Sequence, residues 1–338
     1  MAINKLVIEG FKSIKDLKLD CKKINVLIGE PNTGKSNILE AIGLLSHVCY
    51  GRLDRFIRFE TMLDLFYDRN IGDPIKIKFD DNAVEIFFKD GMFTGAFISK
   101  TVHGETARTR LFTYSYGGGG DNNRGRFSGP MNVLETFKFY RFRSQSSYPI
   151  TLSDFLSPPD GSNFLHIVLT RKDLKRILSD LFKRFGYRIV FKPSEGKIEV
   201  QKDLEDIIVS LPYALSSETL QRIAFYLAAI YSNEGSVISF EEPEAHAFPY
   251  YMKYLAEKVA LDNKNNQFFI ATHNPYFLSS IIEKTPKDEI ATFITYFEDY
   301  QTKVKPLSSD DIERALDMGS DVFFNIDQFL AKDSSKGN

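Results

Sequence analysis

Lys22-Lys-Ile-Asn-Val-Leu-Ile28, followed at once by Gly29-Glu-Pro-Asn-Thr-Gly-Lys-Ser36, is the stretch that decides the fold. The first half is an apolar run bounded by charge on one side and glycine on the other, the pattern of a buried strand. After Ser36, the residues Ile38, Leu39, Ala41, Ile42, Leu44 and Leu45 keep helical spacing, so the segment reads strand, loop, helix. In that setting the loop matches G-x-x-x-x-G-K-[ST]. Its glycines let backbone N–H groups turn inward onto phosphate oxygens, and the helix N-terminus adds its positive end. Gly29, Asn32, Thr33, Gly34, Lys35, Ser36 and Asn37 are therefore candidate nucleotide-binding residues, with ATP and Mg²⁺ as the expected cofactors. Lys35 is expected to reach the β- and γ-phosphates and the Ser36 hydroxyl to ligate the metal.

Outward from the loop, Lys5 to Ile14 reads as a strand into a tight turn, with a second short strand around Leu17 and Leu19. Stretches such as Ile75–Phe79, Ala83–Phe88 and Phe137–Phe142 alternate and predict antiparallel strands with one wet face. Between them Gly117 to Arg126 is so rich in glycine and polar residues that it predicts a mobile loop. Asp160 to Phe185 is helical in pattern, and Ile189–Phe191 with Ile198–Val200 predicts a hairpin. The last third alternates helix, strand, helix, strand, which argues a parallel sheet covered by helices.

Two of those late strands end in chemistry. Ser236-Val-Ile-Ser-Phe-Glu-Glu-Pro-Glu-Ala-His246 runs from an apolar strand into carboxylates, and proline stops the strand. Parallel strands deliver their C-terminal ends to the ligand side of such a sheet, which brings Glu241 and Glu242 beside the loop. Alternation points them in different directions. Glu241 is assigned to the metal and Glu242 to the general base or water-positioning role. The bland reading is a solvated acidic strand end. Thr272-His-Asn-Pro275 follows another apolar strand, so His273 is either structural or a donor to the γ-phosphate at the same edge.

With these residues in hand, the chain resembles the ABC-type ATPases of the SMC, RecF and OLD branch, most closely their compact AAA15-type members. Leu6-Val-Ile-Glu-Gly-Phe-Lys-Ser13, the loop ending Gly-Lys-Ser-Asn37, Phe240-Glu-Glu-Pro-Glu244 and Ala271-Thr-His-Asn-Pro-Tyr-Phe-Leu278 carry the resemblance. It implies an α/β P-loop NTPase head with antiparallel strands, a mostly parallel core sheet and an inserted helical lobe. It also implies that two heads sandwich two nucleotides, each completing the other's site with a signature segment, here Leu215-Ser-Ser-Glu-Thr-Leu-Gln-Arg222. Ser216 would cap the following helix and face the partner's γ-phosphate, unless this is only an ordinary capped helix. Glu218 stands where the family usually has glycine, and a carboxylate there opposes an incoming triphosphate unless it turns away. Gln145 is the candidate for the family's magnesium-sensing glutamine. Glu241 replaces the usual aspartate and reaches one methylene further, which predicts slow hydrolysis.

The expected segments are 1–60 with the phosphate loop, 61–150 as an antiparallel insertion with the glycine-rich loop, 151–210 as the helical lobe, 211–320 as the rest of the ATPase core, and 321–338 as a tail. Arg171 to Pro193 carries eight Lys/Arg against two Asp, whereas 241–338 holds 10 against 17 Asp+Glu. That asymmetry permits either a nucleic-acid groove on the lobe, helped by Arg108, Arg110, Arg124 and Arg126 on mobile segments, or merely a solvated helix face. The whole chain is nearly neutral, with 43 Lys+Arg and 45 Asp+Glu, so an all-over basic coat is excluded. Its two cysteines and the lack of a long apolar run suit a cytoplasmic, non-membrane protein. Without heptads, long SMC-type arms are excluded, and about 65 residues after His273 are too few for an OLD-type TOPRIM nuclease domain. The resemblance therefore points to an ATP hydrolase that forms homodimers or larger assemblies and regulates or drives a nucleic-acid-acting partner of the DNA-repair or phage-defence type, any nuclease or toxin that acts with it being a separate subunit. An ATP-dependent scaffold that scarcely turns over is the alternative, and a transporter ATPase subunit fits less well.

Overall fold

The computed structural model describes residues 2–100, 105–122, 129–149 and 153–330 of the 338-residue chain. A hairpin of β1 (Lys5–Phe11) and β2 (Ile14–Asp20) leads into β3 (Ile24–Ile28), helix α1 (Lys35–Tyr50) and the short α2 (Leu53–Phe56). A meander follows: β4 (Ile75–Phe79), β5 (Asn82–Lys89), β6 (Met92–Lys100), β7 (Thr106–Tyr114) and β8 (Gly120–Asn122). After β9 (Phe137–Tyr140) come α3 (Phe164–Thr170), α4 (Lys172–Lys183), β10 (Arg188–Lys192), β11 (Lys197–Leu204) and β12 (Ile207–Pro212). The remainder is α5 (Glu218–Ser232), β13 (Val237–Glu241), α6 (Pro249–Ala260), β14 (Gln267–Ala271), α7 (Pro275–Lys284), β15 (Ile290–Glu298), β16 (Gln301–Pro306), α8 (Ser309–Met318) and α9 (Ile326–Leu330).

Among the described residues the strands form three sheets. The six-stranded one, in order β16-β15-β3-β14-β13-β9, is parallel except for β16. It separates two hydrophobic cores. On one face Val26, Ile28, Ile238, Phe240, Phe268 and Ile270 pack under the C-terminal helices. On the other, Leu27, Val237, Phe269 and Phe293 meet α1 and the antiparallel sheet. Burial on both faces explains why β3, β13 and β14 are continuous apolar runs rather than alternating ones. The consequence for function is directional: β3, β9, β13 and β14 all end at the same edge.

The structure corrects several expectations. Phe137–Tyr140 is not a half-wet antiparallel strand but an edge strand parallel to β13, with all four residues buried. The alternation misled because Lys138 is buried, its Nζ 3.6 Å from the Phe155 ring centroid and 3.1 Å from the Ser236 hydroxyl. Within 61–150, β4 to β8 continue the sheet of the N-terminal hairpin, since β4 pairs with β1. The glycine run is ordered as far as it is described: Gly118 at φ +75 closes a turn, Ser115 and Gly119 bond across it, and β8 pairs with β7. Arg124 and Arg126 lie outside the described residues. Arg108 and Arg110 sit on β7 rather than on a mobile segment, and Arg108 pairs with Glu85 at 2.9 Å. Among the described residues of 151–210 the α-helices are α3 and α4. The expected hairpin is β10 and β11, and a third strand, β12, completes a small sheet.

Candidate functional site

The phosphate loop is shaped by strands that the sequence pattern did not implicate. Gly29 (φ +147) and Gly34 (φ +96) take backbone conformations that suit glycine, and a Cβ on either would collide with Thr295 or Thr302 within 2.2 Å. Thr33 turns its hydroxyl inward to the Glu30 carbonyl at 2.8 Å and to Thr295 at 3.0 Å, so its side chain braces the loop. Asn37 donates from Nδ2 to the Ser13 hydroxyl, 2.7 Å away, and Ser13 in turn touches Thr302. Asn32 has φ +63 at the loop tip. Lys35 lies folded onto its own loop, donating to the Gly29 carbonyl at 2.8 Å and the Glu30 carbonyl at 2.7 Å. Burial pulls its pKa down to about 8 despite the nearby Glu242 and Glu30.

Glu241 and Glu242 point apart, Glu241 as the last residue of β13 and Glu242 from the turn that follows it. Glu242 sits just past β13 at φ +44, a left-handed conformation rarely adopted by a residue with a side chain. Its Oε1 is 3.1 Å from His273 Nε2. The hydrogen bond from His273 outweighs burial and holds the Glu242 carboxyl below its ordinary value, with the charges of His273, Lys35 and Arg222 assisting. Glu241 faces the other way, toward Ser36, whose hydroxyl helps to hold its carboxylate charged. Burial opposes its charge, but Arg141, Ser36 and Arg58 together lower its pKa. Ser36 and Glu241 thus bring a hydroxyl and a carboxylate oxygen together, the hard donors that Mg²⁺ takes alongside phosphate and water.

Other residues at this edge escaped sequence reasoning. Glu244 is buried and accepts a hydrogen bond from the Thr272 hydroxyl. That same oxygen accepts from the Asn274 N–H at 3.0 Å, so the two bonds bracket His273. Burial pushes the Glu244 carboxyl up to about 7. Behind Glu241 lies Glu40 of α1, fully buried and bonded to Lys12, to Arg58 Nε at 2.7 Å and to Arg141 at 3.2 Å. The spacing of Lys12, Glu40, Arg58 and Arg141 along the chain carries no motif. Their one sequence signal is Glu40, a lone carboxylate within the apolar stretch from Ile38 to Leu45.

The structure does not bring every candidate to the loop. Gln145 donates from Nε2 to the Asp160 carbonyl, 2.5 Å away. The residue of that segment that reaches Glu241 is Arg141. Ser216 does not cap α5: Ser217 holds the N-cap position without a side-chain cap bond, and the Ser216 hydroxyl turns back to the Tyr213 carbonyl at 2.7 Å. Glu218 turns along its own helix to Arg222 Nε at 2.8 Å.

Residues 1–112 match the AAA ATPase domain family. A Helicobacter pylori (strain ATCC 700392 / 26695) protein named ATP/GTP phosphatase is 22% identical over 363 residues, spanning 91% of this chain and 93% of that protein. Among solved structures, an SMC head bound to the C-winged helix domain of ScpA aligns at a TM-score of 0.53 and 17% identity, covering 92% of this chain and 99% of that one. The Smc head domain with an extended coiled coil, bound to the C-terminal domain of ScpA derived from Pyrococcus furiosus, aligns at 0.52 and 13% identity, covering 93% and 98%. The chain has the fold of an SMC-type ATPase head. The resemblance to AAA15-type ATPases and to SMC heads stands, and the family match with the Helicobacter pylori relative supports a nucleotide hydrolase. Among the described residues no helix is long and apolar enough to cross a membrane.

Proposed function

We propose that this chain is a Mg²⁺-dependent ATPase of ABC type that pairs head to tail with a second copy and uses the cycle to regulate a nucleic-acid-acting partner in the cytoplasm. The observation that carries the reading is the convergence of Lys35, Ser36, Glu241, Glu242 and His273 at one edge of the core sheet. Glu242, ionised at neutral pH and oriented by His273, takes the proton of the attacking water. Lys35 leaves the Gly29 and Glu30 carbonyls and, with the loop amides, stabilises charge gathering on the transferred phosphoryl. When bound, magnesium would be held by Ser36 and Glu241 and would neutralise phosphate charge. Because Glu218 is occupied by Arg222, the N-terminus of α5 remains open to a partner's triphosphate. The basic α4, whose Leu174, Leu178, Leu181 and Phe182 face inward, leaves its cationic side outward and supports a nucleic-acid contact.

The test is steady-state phosphate release from ATP and from GTP by wild type and Glu242→Gln, alongside molar mass by light scattering with and without Mg·ATP. Turnover should fall about 10³-fold in the variant, and the variant should become dimeric with nucleotide. Undiminished release by Glu242→Gln removes that residue from the chemistry. A second reading, the scaffold that scarcely hydrolyses, is favoured by the two arginines on Glu241. It takes over if wild type binds ATP but releases no phosphate.

A further inference from the structure

The carboxylate expected to receive the metal already has cations on both of its oxygens. Glu241 Oε1 is 3.2 Å from a terminal nitrogen of Arg58, and Oε2 is 3.0 Å from Arg141 Nε and 2.9 Å from a terminal nitrogen of the same guanidinium. The two arginines are not equivalent. The Arg141 side chain is 20% exposed and clamps Glu241 through two nitrogens, whereas Arg58 is 60% exposed and gives Glu241 a single long contact. Arg58 has a second anchor, from Nε to the fully buried Glu40 at 2.7 Å, and Lys12 fixes the local backbone by bonding the Arg58 carbonyl at 2.6 Å. The guanidinium can therefore pivot about its bond to Glu40 and release Glu241 without leaving any buried charge unpaired, since Arg58 Nε keeps Glu40 and Arg141 still pairs with Glu241. A divalent cation entering beside Ser36 meets Arg58 as a like charge, and of the two arginines Arg58 is the one free to yield.

We propose that Arg58 is a displaceable counter-ion for the metal carboxylate: it neutralises Glu241 until a divalent cation arrives with the triphosphate, and then swings away. The inference rests on Glu241 being the metal ligand. It makes metal binding conditional on nucleotide, because phosphate charge compensates the cost of moving Arg58 and a free cation brings no such compensation. Glu241, which reaches one methylene further than an aspartate, has the length to serve both partners in turn.

Manganese(II) titrations followed by electron paramagnetic resonance, with and without a non-hydrolysable ATP analogue, test this on wild type, Arg58→Gln, Arg58→Lys and Glu241→Gln. Without nucleotide, Arg58→Gln should bind manganese about tenfold more tightly than wild type, and the difference should shrink once the analogue is present. Arg58→Lys keeps a charge but lacks the fork that spans both carboxylates, and should gain less. Equal or weaker nucleotide-free binding in both Arg58 variants overturns the inference while leaving the ATPase reading intact. Unchanged manganese binding with the analogue in Glu241→Gln overturns the metal assignment itself, and the inference with it.

Discussion

Glu241 and Glu242 are neighbours in sequence with opposite surroundings. Glu241, with a 15% exposed side chain, belongs to an ion network that ties α1, the ends of β9 and β13 and the β1–β2 turn together through Lys12, Glu40, Arg58 and Arg141. Glu242, 45% exposed, has one side-chain partner, His273, and faces Lys35. One strand end thus separates a side that holds the fold in register from a side left open for chemistry. The division teaches what to expect of mutations: on the Glu241 side the cost should appear in stability and, at Glu241 itself, in metal binding as well, and on the Glu242 side in turnover.

Removing the centre of the closed side gives the largest effect. Glu40→Ala leaves the Lys12 ammonium without its carboxylate, puts both guanidiniums on Glu241 alone and opens a cavity in the core, and should cost about 3 kcal/mol in urea unfolding. Glu242→Gln, on the open side, should cost under about 1 kcal/mol. If the two variants unfold at the same urea concentration, the division fails.

The next effect sharpens the open side. Glu244→Ala removes the acceptor for Thr272, the residue that fixes the turn carrying His273, and should lower phosphate release by about tenfold to a hundredfold with nucleotide affinity unchanged. Glu244→Gln, which preserves shape and an acceptor, should recover most of the loss. Equal turnover in the alanine variant and wild type would show that the turn holds His273 without Glu244.

Legibility in the sequence follows the same division. Strand, loop and helix from Ile24 to Tyr50, and the carboxylate and histidine at the ends of β13 and β14, were readable because each is a local pattern: apolar runs, glycine spacing, a proline stop. The ion network was not, since its members lie up to 229 residues apart between Lys12 and Glu241 and meet only through sheet topology. Lys138 shows the same limit on a smaller scale. A buried lysine counted as polar turned a parallel core strand into an apparent wet one. Ser216 was placed one residue from the true N-cap, because two adjacent serines precede α5 and propensity alone does not choose between them.

The smallest effect concerns Lys35 and has a definite sign. Burial lowers its pKa to about 8, from an ordinary 10.5. Between those two values the unfolded chain binds more protons than the folded one, so this group makes stability rise with pH across that window. Nucleotide works in the opposite direction. Triphosphate oxygens favour the ammonium, so above pH 8 binding must take up a proton. Affinity for a fluorescent ATP analogue should hold steady from pH 6.5 to 7.5 and be about tenfold weaker at pH 9. Lys35→Arg, charged throughout, should flatten that decline even if its absolute affinity is lower. An equal decline in both proteins would assign the pH dependence to another group. A steady wild-type affinity up to pH 10 would mean that Lys35 is already held as an ammonium by Glu242 and Glu30, leaving the open side as well neutralised as the closed one.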